Sequence, residues 1–144
     1  MHADEFIDCV QQRGVSAAEI SRQEKQHLQL QWRAIFAFHL PRPGRLTTVH
    51  RNWHIFSTKQ AVCRGGKTAF DLYARVPVTD FFIIPEQDDL PGLRCTASDP
   101  PDLSALQLDL YVSSADFSWT MVFTHDHPWH GPYFAQRAWQ KIKL

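Results

Sequence analysis

The segment Asp109–Phe134 reads DLYVSSADFSWTMVFTHDHPWHGPYF. Two runs rich in β-branched and aromatic residues, Asp109–Ser113 and Phe117–His125, flank Ser114-Ala115-Asp116, which is hairpin spacing. In the second run Phe117, Trp119, Met121 and Phe123 alternate with Ser118, Thr120, Val122 and Thr124. Successive residues of a strand point to opposite faces, so one face is strongly aromatic and belongs to the core. The same segment holds three of the eight histidines and two of the five tryptophans. The part of the chain that builds the sheet therefore also carries its densest chemistry.

Upstream, Asp80–Pro85 (DFFIIP) is a short apolar run and predicts a strand buried on both faces. Gly65-Gly66 opens a helix over Lys67–Arg75, with Phe70 and Tyr73 on one side and Pro77 closing it. Val49–Ser57 (VHRNWHIFS) has strand composition. Ser16-Ala17-Ala18-Glu19 is a capping-box pattern, and it predicts a helix running to His39. Leu28, Trp32, Ile35, Phe36 and His39 form the apolar face of that helix. Asp4–Gln12 reads as a short helix stopped by Gly14, and the proline-rich Glu86–Pro101 as a surface loop. Asp102–Leu106 predicts one helical turn capped by Asp99.

The expected fold is α+β: a mainly antiparallel sheet of about four to five strands with two main helices, one domain over residues 1–144. Residues 1–15 are expected to attach loosely, and residues 135–144 to form a C-terminal tail or short helix.

Composition sets the outer limits. A chain of 144 residues with 44% apolar and 21% charged residues has the size and make-up of one globular domain. No apolar run approaches the roughly 18 residues of a membrane span, and the start MHADEFIDC lacks the basic, then apolar pattern of a signal peptide. Three widely spaced cysteines, Cys9, Cys63 and Cys95, make neither a disulfide framework nor a zinc ribbon, which fits a reducing cytoplasm. A net charge of zero argues against nucleic-acid binding. The charge is unevenly placed: residues 22–75 carry ten Lys and Arg against Glu24 and Asp71, while residues 80–126 carry nine Asp and Glu against Arg94. Either the halves meet and neutralise each other, or the surface has two poles that steer a charged partner.

Four places can hold chemistry. If the strand continues through His125-Asp126-His127, the two imidazoles share a face and His130 can return across Pro128 to complete a transition-metal site such as zinc. Asp126 or His54 then serves as general base on the metal-bound water. His50 and His54 form a second pair, four residues apart. Histidines beside Trp and Pro at a strand end are also ordinary surface residues, and spacing alone specifies a metal poorly. Ala61–Thr68 (AVCRGGKT) echoes the end of a phosphate-binding loop but lacks its first glycine. Cys63 and Cys95 are the candidate nucleophiles. Trp53, Trp119, Trp129, Tyr133 and Phe134 are too many aromatics to assign wholly to the core; Trp129 and Tyr133, in a Pro/Gly turn, are the expected exposed anchors.

The residues Trp53-His54-Ile55-Phe56-Ser57, Ala69-Phe70, Tyr111-Val112, Phe117–His125 and Gly131-Pro132-Tyr133-Phe134 resemble a bacterial domain of unknown function, family 4275, over residues 28–134. Asp126 stands where that family carries Glu, and His127 and His130 are not family features, which cuts against the metal reading. The resemblance implies a bacterial, soluble, cytoplasmic α+β domain without an established activity. It marks His54, Trp119, His125, Asp126 and Tyr133 as positions of a shared pocket.

Two functional expectations follow. The first is a non-enzymatic binding domain, such as a toxin-neutralising immunity protein, with Trp119, Trp129 and Tyr133 at a ligand or protein-partner pocket. The second is a small metal-dependent hydrolase using His125, His127 and His130, with His54, His125 and Asp126 as catalytic candidates. No nucleic-acid or membrane partner is expected.

Overall fold

The computed structural model describes residues 1–37, 53–59, 61–77 and 80–140. Seven strands form one sheet: β1 Ser16–Glu19, β2 Arg64–Gly65, β3 Asp80–Pro85, β4 Leu93–Thr96, β5 Leu110–Ser114, β6 Trp119–Phe123 and β7 Tyr133–Gln136. Their spatial order is β1-β4-β3-β5-β6-β7-β2, and every pairing is antiparallel. Among the described residues four α-helices accompany it: α1 Ala3–Gln11, α2 Arg22–Phe36, α3 His54–Ser57 and α4 Gly66–Tyr73.

The sheet is buried on both faces, and strand alternation assigns each side chain to one of them. Phe81, Ile83, Val112, Met121 and Phe123 pack with Phe6 and Val10 of α1 and with Ala69 and Tyr73 of α4. Phe82, Ile84, Tyr111 and Val122 pack with Leu28, Trp32 and Phe36 of α2 and with Ile55 and Phe56 of α3. Two covered faces explain why β3 is an unbroken apolar run. On the α2 side Thr120 ties the layers together. Its hydroxyl accepts from Trp32 Nε1 at 2.9 Å and from Ser113 Oγ at 3.0 Å, and donates to the Val112 carbonyl at 3.0 Å.

The expected sheet of four to five strands is too small. Four strands, β1, β2, β4 and β7, are not among those expected: they are two to four residues long, and β1 (SAAE) and β2 (RG) have no strand composition. Ser16–Glu19 is not a helix cap: Ser16 pairs with Thr96 and Glu19 with Leu93. The α2 helix begins later, where the Ser21 side chain accepts from the Glu24 N–H at 3.0 Å. Glu86–Pro101, expected as loop, contains β4. His54–Ser57, expected as strand, is the short helix α3, and Val49–Asn52 lies outside the described residues, as does His39. Leu103, not Asp99, is the N-cap of the 3₁₀ turn Ser104–Leu106, and the Asp102 carboxylate accepts from the Ser104 N–H at 2.9 Å. At the C-terminal end, β7 takes Tyr133–Gln136 and a 3₁₀ turn takes Arg137–Gln140; residues 141–144 lie outside the description. Near the start, Phe6 and Val10 are fully buried, which packs α1 into the core.

Among the described residues, charged side chains reach from one charge half to the other at Arg94 and at Lys25. Arg94 pairs with Glu24 at 2.7 Å. Lys25 is buried and donates to the carbonyls of Gln87 and Leu90, both at 2.6 Å, in the acidic loop that follows β3.

Candidate functional site

The chemically dense segment leaves β6 at Phe123 and turns through Thr124–Gly131 into β7. The β5–β6 register places Leu110 opposite Phe123, so Asp109, one residue before β5, arrives beside the start of the turn. Asp109 is 3% exposed. Its carboxylate accepts from the His125 backbone N–H at 2.9 Å and lies 2.9 and 3.1 Å from the His125 ring Nδ1. The turn then closes on itself. Trp129 and His130 donate their backbone N–H groups to the Asp126 carbonyl at 2.8 and 3.0 Å, and the Thr124 hydroxyl donates to the His130 carbonyl. Gln107 Nε2 donates to the His127 carbonyl at 3.2 Å. Gly131 sits at φ +81°, and a Cβ there would lie 3.1 Å from Thr124 Cγ2 and 3.4 Å from the Tyr133 ring, so glycine fits this position on two counts.

The three histidines of the turn go to three different neighbours. His125 faces Asp109. His127 sets its ring edge-on to Phe70 with centroids 6.5 Å apart, and its Nδ1 is buried without a hydrogen bond. His130 Nε2 lies 3.6 Å from Asp126 Oδ2, and its ring 5.7 Å from that of Trp53. Among the described residues no group of three His, Cys, Asp or Glu side chains is placed to hold a metal ion. The reason is local: β6 ends at Phe123, so the two-residue strand period that would align His125 with His127 no longer applies. His50 lies outside the described residues.

The aromatics separate as well. Trp53, Trp119, Tyr133 and Phe134 are all buried, whereas Trp129 is 83% exposed. Tyr133, expected in the turn, is the first residue of β7, opposite Val122 and Gly65. Trp119 and Tyr133 belong to opposite faces of the sheet, so the expected trio does not converge. Tyr133 lines a cavity of about 510 Å³ with Phe56, Cys63 and Gly65. Beneath the turn, the Trp53 ring is surrounded by His54 (4.4 Å), His130 (5.7 Å), His125 (6.1 Å) and Tyr133 (6.3 Å). The Trp53 backbone N–H donates to the Tyr111 hydroxyl at 3.0 Å, which donates to Glu86 Oε1 at 2.9 Å. Burial and the neighbouring Glu86 carboxylate both hold the Tyr111 phenol well above its ordinary range, so it stays a neutral strut.

This arrangement permits one kind of chemistry directly. With Nδ1 held by a buried carboxylate, His125 keeps Nε2 for proton exchange, and its side chain is 41% exposed. The other sequence candidates fare less well. Gly66 donates its N–H to the Pro132 carbonyl at 3.0 Å, so the glycine pair joins the helix start to the chain before β7 and does not frame an anion loop. Burial pushes the Cys63 thiol up to about 11 and that of Cys95 up to about 12, the opposite of what a nucleophile needs. Sequence reading missed Asp109 as a site residue. Its signal was the hairpin itself, since counting back from the Ser114–Asp116 loop brings residue 109 level with the end of the facing strand.

The family model for a domain of unknown function, DUF4275, matches residues 4–134. The chain belongs to this family. The match begins near the start of α1, well before residue 28, and ends at Phe134, so the family pattern takes in β1 to β6, the closing turn and the first half of β7. No curated protein and no solved structure matches the chain.

Proposed function

We propose that this domain is a binding protein that holds a protein partner through the turn between β6 and β7. The observation that carries the reading is Trp129, 83% exposed at the tip of a turn whose backbone is bonded to itself and to Asp109. An aromatic side chain can bury roughly 150–250 Å² at roughly 25 cal/mol per Å², so an indole left in water forgoes several kcal/mol that a partner can recover. A rigid turn makes that recovery efficient, because little conformational entropy remains to be lost on docking. The most specific form of the reading is a toxin-neutralising protein, for which the exposed Asp88, Asp89, Asp99, Asp102 and Asp116 supply charge complementary to a basic active site.

The test is affinity capture from native lysate at low salt and high protein concentration, run with the wild type and with Trp129→Ala. The wild type is expected to retain a stoichiometric partner that the variant loses. The variant should unfold within about 0.5 kcal/mol of the wild type, as a surface change does. Absence of a stoichiometric partner, or equal capture by the variant, removes the basis for the reading.

A further inference from the structure

We propose that the protein also carries a binding site for an amphipathic carboxylate, in the cavity where the C-terminal ends of α2 and α4 meet the β6–β7 end of the sheet. The cavity measures about 910 Å³, within the size range of small-molecule sites. Its floor is Trp119 and Phe134, stacked with ring planes 20° apart and centroids 6.2 Å apart. Ile35 of α2 and Val76, just past α4, line its walls. The cleft is open to solvent, so its apolar side chains face water that a ligand with an apolar body can displace.

Charge selects the ligand class. Both charged groups among the described lining residues are arginines, Arg75 and Arg137. Arg137 is fixed by its backbone N–H, which donates to the Ser118 carbonyl at 2.9 Å; among the described residues its guanidinium reaches only the Asp116 carbonyl, at 3.4 Å. Arg75 is exposed and its side chain makes no hydrogen bond or ion pair among the described residues. Two guanidinium groups with donors to spare, above a floor of aromatic rings, suit a molecule that is apolar along its length and carries a carboxylate at one end. A neutral apolar molecule fills the floor and leaves the arginines without a partner. This site is separate from the Trp129 turn, and neither proposal depends on the other.

The experiment is calorimetric titration with decanoate and with 1-decanol, each below its aggregation concentration, on the wild type and on the double variant R75Q/R137Q. The wild type is expected to bind decanoate saturably, one to one, and 1-decanol at least about tenfold more weakly. The double variant should lose that preference while keeping its melting temperature, since both arginines are exposed. The proposal is overturned if decanoate shows no saturable binding, if the wild type binds decanol as well as decanoate, or if the double variant keeps the preference. The wild-type comparison stands without any variant.

Discussion

Asp109 accepts the His125 N–H and faces the His125 ring from a position closed to solvent. A buried carboxylate with two such contacts is an anchor, and its removal leaves polar groups without partners. Asp109→Asn keeps the shape but loses the charge and part of the accepting capacity. We expect it to cost about 1–3 kcal/mol in urea unfolding. Asp126→Asn should cost less than about 0.5 kcal/mol, because among the described residues its carboxylate pairs only with a half-exposed His130, at 3.6 Å. Equal losses in the two variants would mean that Asp109 is not the anchor. At this scale the sequence marks the histidines but not the side chains beside them. Histidine spacing was read as if β6 continued, whereas the decisive acid lay sixteen positions upstream of His125.

Helix α2 shows how a local pattern becomes a layer contact. Leu28, Trp32 and Phe36 recur at four-residue spacing and are buried against the sheet. Trp32 adds a polar tie, donating Nε1 to Thr120 inside the core. Trp32→Phe removes that bond and some volume, and should cost about 2–3 kcal/mol by chemical denaturation. If Thr120→Val, which removes the hydroxyl, rescues part of that loss in the double variant, the Nε1–Thr120 contact is confirmed as a coupled pair. Elements of this kind were legible: the α2 face, the apolar run of β3 and the alternation of β6 all state their surroundings in their own side chains. Strands β1 and β2 were not legible, since SAAE and RG become strands only through backbone partners far away in the chain, and β4 (LRCT), which pairs back on β3, was hidden in a proline-rich stretch. Helix α3 misled for the opposite reason. Trp53–Ser57 has strand composition, yet the adjacent residues Ile55 and Phe56 are both buried, which an alternating strand on one covered face would not allow.

Across the whole molecule, a sheet covered on both faces leaves several ionisable groups neutral in the interior. Burial raises Cys63 and Cys95 from their ordinary 9.0 to about 11 and about 12, and raises Tyr73, Tyr111 and Tyr133 above 10.0. Each of these groups holds its proton more tightly folded than unfolded. Their contribution is therefore complete below about pH 9 and is lost as the pH climbs from 9 towards 12. Lys25, lowered from 10.5 by desolvation, runs the other way, but it is one group against five. The free energy of unfolding in urea should fall steadily above pH 9, at up to ~1.4 kcal/mol per pH unit for the buried Cys95 thiol, and Cys95→Val should flatten the fall. A free energy that rises over that range would contradict the two-faced core. The structure joins that core to a closing turn held by Asp109, with Trp129 presented to solvent. Site-resolved hydrogen exchange on the wild type and Asp109→Asn tests this most directly. The account predicts slow exchange at the His125, Trp129 and His130 amides in the wild type, and faster exchange at these sites alone in the variant, with β3 and β5 unchanged. Fast exchange at these amides in the wild type would contradict it, because a turn that opens freely offers no fixed platform for its tryptophan.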